Sequence, residues 1–154
     1  MDVEKIVREY IEKTLHMSLA TANGNKPWVC EVHFVYDNDL NIYWRSLASR
    51  RHSQELAANP NVAGNIVKQH TLEEAPVGVY FEGVAELLDD AKEQQKVLPL
   101  FQRRIGAAES VLEEAQKEDG HKFYKITVSN WYVFGKFDGD KGQKYKLEWN
   151  GDSR

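Results

Sequence analysis

The chain has 154 residues, of which 42% are hydrophobic and 29% are charged. That balance is typical of one soluble globular domain, here residues 1–154, and it excludes a disordered tail. The chain holds 20 Lys and Arg against 24 Asp and Glu, so its net charge is −4. Nonspecific nucleic-acid binding needs a dense cationic face, and nucleic acid is therefore not an expected partner.

Cys30 is the only cysteine, which rules out an intrachain disulfide and a zinc cluster built on cysteines. No apolar run approaches the ~20 residues that a membrane-spanning helix needs, so no membrane partner is expected. Residues 2–13 are rich in charge, unlike a signal peptide. The expected location is therefore the cytoplasm.

The first predicted element is a helix, and strands of alternating polarity follow it. Val3, Val7 and Ile11 recur at helical spacing behind Asp2, which is a suitable N-cap. The predicted strands are residues 15–22, 28–36, 41–45, 62–67, 77–88, 123–134 and 144–149. Turns at residues 23–25 and 37–39 separate the first three strands, because Asn, Asp and Gly favour turn conformations.

Two further helical segments are predicted. A short helix begins near Ser53 and ends at Asn59-Pro60, because the residue before a proline avoids the helical conformation. Residues 91–116 are helical in pattern but interrupted, with breaks expected at Pro99 and Gly106.

Strand polarity indicates the fold class. The two faces of the second strand carry Trp28, Cys30, Val32, Phe34 and Tyr36 on one side and Val29, Glu31, His33 and Val35 on the other. Gly83 is expected to mark a bulge in the fifth strand. Six or seven short strands with few helices predict a mainly β, α+β fold built as a small antiparallel barrel. The βαβ alternation of a doubly wound domain is missing.

A cationic segment follows the third strand in a chain that is otherwise acidic. It consists of Arg45, Ser46, Leu47, Ala48, Ser49, Arg50, Arg51 and His52. Guanidinium groups and hydroxyls suit phosphate oxygens, and the start of the next helix would add free N–H groups. The alternative is a solvated basic loop that pairs with nearby carboxylates, and spacing alone does not distinguish the two. The glycine-rich phosphate loops are absent.

The order of several short motifs resembles a known family. A "SLAT" strand and a hairpin lead to an "IYW" strand, then "SRR", a short helix and "NPNV", with "VGVYFEGVAELL" later. This order, from residue 15 to residue 88, resembles the pyridoxamine-phosphate-oxidase-like, FMN-binding split-barrel superfamily. The later stretches "FQRRIGAA" and "NWYVFGKF" look more like a poorly characterised branch of small bacterial and archaeal members.

The resemblance implies a small antiparallel split β-barrel with flanking helices, assembled as a homodimer with FMN at each subunit boundary. The residues that it implies around the phosphate are Arg45, Ser46, Ser49, Arg50 and Arg51. The flavin ring would lie along Glu31, Val32 and His33, and Trp131 would cover it.

Departures from the family pattern argue against the activity of the true oxidase. Val29 and Phe34 stand where the true oxidase carries basic residues at the ends of this strand. The oxidase's C-terminal Trp-Gly-Gly and Arg-x-His elements, which serve pyridoxal phosphate, are also absent. The activity of pyridoxamine-phosphate oxidase itself is therefore not expected. Related barrels bind a deazaflavin or haem, or hold no cofactor, so these remain alternatives to FMN.

The predicted function is an FMN-dependent oxidoreductase that passes electrons or hydride between a nicotinamide donor and a small acceptor. The alternative is a non-catalytic flavin, deazaflavin or haem binding module on the same dimeric barrel. No side chain stands out as an acid or base, and the histidines lack metal-binding spacing. His33 and His52 are site candidates, while His33, His121 or Cys30 could ligate a haem. Cys30 is otherwise expected to be a buried, unreactive thiol.

Overall fold

The computed structural model describes residues 1–139 and 141–150. The predicted first helix is present as α1, Val3–Glu12, which buries Val7 and Ile11 against the sheet. The Asp2 side chain accepts a hydrogen bond from the Lys5 N–H at 3.0 Å, as expected of an N-cap. Among the described residues, no helix is both long and apolar enough to cross a membrane.

The remaining elements form one curled antiparallel sheet with three more helices around it. The strands are β1 His16–Asn23, β2 Lys26–His33, β3 Val35–Tyr36, β4 Ile42–Leu47, β5 Asn61–Ile66, β6 Gly78–Leu88, β7 His121–Gly135 and β8 Gln143–Glu148. The helices are α2 Arg51–Ala58, α3 Ala91–Ile105 and α4 Val111–Glu114. Strand order is β2-β1-β5-β6-β7-β4-β3, and β8 pairs with β7. This confirms the predicted mainly β, α+β split barrel.

The core lies on both sides of β4 and β7. Inside the curl of the sheet, Trp44 stacks on Tyr124 with ring centroids 5.3 Å apart. Behind those strands, α3 and α4 pack their apolar faces, and Phe101 meets Phe123 edge to face at 5.4 Å. This packing behind the sheet holds α3 in a fixed position beside the end of β4.

The predicted strand over residues 28–36 is two strands, because residues up to His33 pair with β1 whereas Val35 and Tyr36 pair with β4. The Phe34 N–H donates to the Leu15 carbonyl at 3.1 Å, which continues the β1–β2 register by one residue. Phe34 and Val35 are both buried, but they face opposite ways: Phe34 packs in the same cluster as Cys30, Val32 and Tyr36, and Val35 packs in the cluster of α3. The predicted alternation of faces from Cys30 to Tyr36 is therefore confirmed, although the single strand is not. Cys30 is half-buried, and burial raises the pKa of its thiol.

Two helix boundaries also differ from the predictions. Helix α3 continues through Pro99, which is exposed, as is Gln95, the residue whose carbonyl loses its helical partner. Gly106 ends the helix in a left-handed conformation with φ 65°, as predicted. Helix α2 begins at Arg51 rather than near Ser53.

The bulge predicted at Gly83 is present, and it is a sensitive position. The β6–β7 register shifts between Glu82 and Gly83, where a Cβ atom on Gly83 would collide with the backbone of Thr127 and Val128. We expect Gly83→Ala to lower the free energy of unfolding by about 1–3 kcal/mol, measured by denaturant unfolding. Equal stability of Gly83→Ala and wild type would contradict this packing.

Candidate functional site

One cavity brings together the ends of β2 and β4, the start of α2, the start of β7 and the last turns of α3. Its volume is about 340 Å³. It is lined by Glu31, Val32, His33, Phe34, Arg45, Ser46, Leu47, Arg50, His52, Phe101, Ile105 and His121. Six of the residues predicted to bind the cofactor are among them, namely Glu31, Val32, His33, Arg45, Ser46 and Arg50.

The start of α2 forms the cationic side of the cavity. Arg50 is the N-cap residue of this helix, and its guanidinium has no hydrogen bond or ion pair within the described part of the chain. The first N–H groups of a helix have no acceptor inside the helix, so the same end carries partial positive charge. Arg50 is therefore a free cation beside a helix terminus, the arrangement that favours an anion.

His52 and Ser46 form a neutral pair in the cavity wall. His52 Nε2 lies 2.9 Å from Ser46 Oγ, and both side chains are buried. Burial lowers the pKa of His52, and the nearby Arg50 charge lowers it further. The imidazole is thus neutral near pH 7 and shares a hydrogen bond with the hydroxyl.

Arg45 is held by an acidic residue far away in sequence. Its Nη2 donates to Glu114 Oε2 at 2.7 Å, and its guanidinium lies over the Phe123 ring at 5.6 Å. Its Nε is buried without a hydrogen-bond partner among the described residues. Arg45 therefore lines the cavity as a partly neutralised and fixed cation.

Glu114 also holds a second residue of the cavity. Its Oε1 accepts from the His121 N–H at 3.1 Å and lies 2.7 Å from His121 Nδ1. The hydrogen bonds from His121 are the main cause that lowers the pKa of Glu114 to about 2, and the bond from Arg45 lowers it further. One carboxylate thus orients two side chains that line the cavity.

The pKa of Glu114 predicts a pH dependence of stability. A depressed carboxyl pKa stabilises the fold above the unfolded value of 4.5, and this contribution is lost as pH falls toward about 2. We expect Glu114→Gln to be less stable than wild type at pH 7, with the difference shrinking between pH 4.5 and about 2. Denaturant unfolding across this range measures it, with Glu113→Gln as control. A difference that does not change with pH would contradict this role.

Ser49 and Arg51 do not line the cavity. Arg51 Nε donates to Glu55 Oε2 at 3.0 Å, and its guanidinium lies over the Trp28 ring at 4.2 Å. Ser49 borders a neighbouring groove with Glu118. Arg51 is thus a paired surface cation, as in the alternative of a solvated basic loop, whereas Arg50 has no ion pair among the described residues.

The structure corrects the prediction for Trp131. Its side chain is completely buried in the core and contacts Phe81 with ring centroids 5.7 Å apart. A side chain with no exposed surface cannot cover a bound ring. The alternation along β7 turns this residue inward with Val133, and the register shift at the bulge brings Val128 to the same buried side.

The apolar wall comes from residues that the sequence analysis did not single out. Phe101 and Ile105 are one helical turn apart on α3, and both face the cavity beside Phe34. Their spacing was visible in the "FQRRI" stretch, but nothing in the sequence shows that this turn reaches the end of β2. Glu114 was not singled out either, because nothing in the sequence shows that it contacts Arg45 and His121.

Polar side chains also lie on the outer face of β1 and β2. His16 stacks on His33 with ring centroids 4.3 Å apart, and Ser18 donates a hydrogen bond to the Glu31 carboxylate. Within residues 1–139 and 141–150, no group of three or more His, Cys, Asp and Glu side chains is arranged to hold a metal ion.

These residues fit a flat ring with an anionic tail. One buried polar atom of a cavity-lining residue, Arg45 Nε, has no partner among the described residues. Native structures satisfy most buried polar atoms, so such an atom beside a cavity is consistent with a bound group. Arg50 and the start of α2 suit a phosphate, and the apolar wall suits an aromatic ring.

Comparison with known proteins agrees with this fold. The chain is similar to HutZ, the haem storage protein from Vibrio cholerae, with a TM-score of 0.72 at 20% identity over 89% of this chain and 97% of that one. It is also similar to a haem binding protein from Mycobacterium smegmatis, with a TM-score of 0.76 at 18% identity over 96% of this chain and 58% of that one. Identity at this level shows the fold alone.

A curated relative and a family model give the sequence relationship. UPF0306 protein plu4501 of Photorhabdus laumondii is 26% identical over 91 residues, which are 58% of this chain. The match spans 64% of that relative's length, less than two thirds of it. The family model described as pyridoxamine 5'-phosphate oxidase matches residues 3–135. The chain therefore belongs to the pyridoxamine 5'-phosphate oxidase family.

Proposed function

We propose that this protein is an FMN-binding flavoprotein that acts as an oxidoreductase, with the cofactor in the cavity at the start of α2. One observation carries the proposal. Residues from β2 and from the cationic segment, predicted separately to bind FMN, line the same cavity together with the unpaired Arg50. The family relationship supports it, although the oxidase's own substrate-binding elements are missing from this sequence.

One group of residues would hold the phosphate of FMN, and another would lie against its ring. Arg50, Ser46 and the free N–H groups of α2 would hold the phosphate through charge-assisted hydrogen bonds. The stretch Glu31–His33 would lie along the ring, facing the apolar wall of Phe101 and Ile105. Bound FMN would supply the redox chemistry, and these residues would position it.

The proposal includes a homodimer that completes the site. Strand β2 lies at one end of the sheet order and exposes 40% of Trp28 and 59% of Val29. An exposed edge strand with apolar side chains favours association with a second chain. Sedimentation at micromolar concentration tests this, and a monomer would count against both the dimer and a flavin at the subunit boundary.

Anaerobic reduction tests the oxidoreductase function. The protein loaded with FMN is mixed with NADPH or NADH while its absorption is recorded. Bleaching of the flavin bands is expected of an enzyme that takes electrons from a nicotinamide. A yellow protein that neither nicotinamide bleaches would overturn the enzyme function and favour a flavin-binding module.

Haem binding is the second candidate, because histidines line the cavity and two similar structures are described as haem proteins. His33 is the suitable iron ligand, since neither of its ring nitrogens is hydrogen-bonded within the described residues. Cys30 does not line the cavity and its raised pKa favours the neutral thiol. A Soret band that His33→Gln alters would favour haem over FMN.

A further inference from the structure

A carboxylate–histidine pair lies in the wall of the proposed FMN site. Glu114 ends α4 and His121 begins β7, and the carboxylate contacts both the backbone N–H and Nδ1 of the histidine. A carboxylate only accepts hydrogen bonds, so at this separation of 2.7 Å Nδ1 carries the proton. The pair therefore selects one tautomer of His121.

The selected tautomer leaves Nε2 for the cavity. His121 lines the cavity, and its Nε2 has no hydrogen-bond partner within the described part of the chain. The side chain is 47% exposed, so solvent reaches the same ring. An oriented imidazole with one nitrogen fixed and the other open to both ligand and solvent is suited to moving protons.

The other histidines of the cavity lack this arrangement. Nε2 of His52 is engaged by Ser46 in a buried pair, and burial favours its neutral form. His33 stacks on His16 without a carboxylate bonded to its ring. His121 alone among the cavity histidines has a carboxylate on one nitrogen and a free second nitrogen.

We propose that His121 is the proton donor of this site, with Glu114 as its positioning residue. This inference rests on the proposed function, because it assigns the acid that accompanies hydride transfer. It also limits the acceptor to a class that takes up a proton with the hydride, such as a quinone or another carbonyl compound.

In the proposed transfer, the acceptor's C=O group would receive a hydride, which is two electrons and one proton, at one atom, with bound reduced FMN as its source. Its oxygen takes a proton from Nε2 of the His121 imidazolium, so an N–H bond breaks and an O–H bond forms. The histidine is left neutral with its proton on Nδ1, and solvent returns the proton to Nε2.

Several charged or titratable groups share the environment of His121. Glu114 contacts it directly and also pairs with Arg45. The other charged or titratable groups in the cavity wall are Glu31, His33, Arg50 and His52. The next residue, Lys122, donates instead to the carbonyls of the segment after α4.

Nitrogen-15 NMR of the cofactor-free protein tests the pair independently of activity. The His121 signals are assigned by their absence from His121→Gln. We expect the neutral ring to carry its proton on Nδ1 in the wild type and to lose this preference in Glu114→Ala. A neutral ring protonated on Nε2 in the wild type would overturn the pair.

Turnover with a quinone tests the proton-donor role. We expect His121→Gln to reduce a quinone about 100-fold more slowly than wild type when both proteins are saturated with FMN. The pH profile of the wild-type rate should differ from that of the variant, which lacks the imidazole. His70→Gln, an exposed histidine outside this cavity, is the matched control.

The outcomes separate this inference from the proposed function. Identical pH profiles for wild type and His121→Gln, with FMN bound in both, would overturn the donor role and leave FMN binding standing. A wild type that binds no FMN would overturn the proposed function and the donor role together, whatever the tautomer of His121.

Discussion

Replacing Arg50 by alanine is expected to weaken FMN binding by about 10-fold or more. A hydrogen bond to a charged group contributes about 1.5–3 kcal/mol, and 1.4 kcal/mol corresponds to a factor of ten in affinity. Arg50 lines the cavity and has no ion pair within the described residues, so its charge is available to a phosphate. A titration that follows the quenching of flavin fluorescence measures the dissociation constant.

Arg51→Ala is the matched control, because the two arginines are adjacent. Arg51 is paired with Glu55, lies over Trp28 and does not line the cavity, so we expect its loss to change FMN affinity by no more than about twofold. Arg50→Ala should leave the unfolding temperature unchanged, since the side chain is exposed and unpaired. An unchanged affinity in Arg50→Ala, or a larger loss in Arg51→Ala, would contradict the phosphate anchor.

Replacing Arg104 by alanine is expected to lower the free energy of unfolding by about 3 kcal/mol or more. Arg104 on α3 donates to three backbone carbonyls, at the end of α1 and at the β2–β3 break. Its guanidinium also lies over the Phe34 ring at 4.9 Å, and only 11% of the side chain is exposed. The loss leaves partly buried carbonyls without a donor and removes packing from the aromatic ring.

Denaturant unfolding measures this effect, with the neighbouring Arg103 as control. Arg103 is exposed, and Arg103→Ala should change the free energy of unfolding by less than about 0.5 kcal/mol. Arg104 also connects two walls of the cavity, because it lies on α3 with Phe101 and Ile105 and its Nε donates to the Phe34 carbonyl at the end of β2. Equal stabilities of Arg104→Ala and Arg103→Ala would contradict this role.

The sequence predicts what depends on local pattern. The helix over residues 3–12, the hairpin at Gly24, the bulge at Gly83 and the helix end at Gly106 follow from spacing, turn residues and positive φ. The antiparallel strands follow from period-two polarity. The division of residues 28–36 into β2 and β3 does not, because it depends on pairing with two different strands, β1 and β4, which the local pattern does not identify.

The same distinction between local pattern and fold applies to two arginines of the cationic segment. The pairing of Arg51 with Glu55 could be read from their spacing of four residues on a helix. The pairing of Arg45 with Glu114 spans 69 residues and requires the fold. The burial of Trp131 depends on which face of β7 turns inward, and the aromatic residue type alone does not show this.

Binding of FMN to the purified protein tests the central claim most directly. The absorption spectrum is recorded before and after FMN is added and the excess removed by gel filtration, with Arg50→Ala in parallel. We expect about one FMN per chain to remain on the wild-type protein and substantially less on Arg50→Ala. A protein that stays colourless with added FMN, or one that shows a Soret band and retains no flavin, would contradict the account.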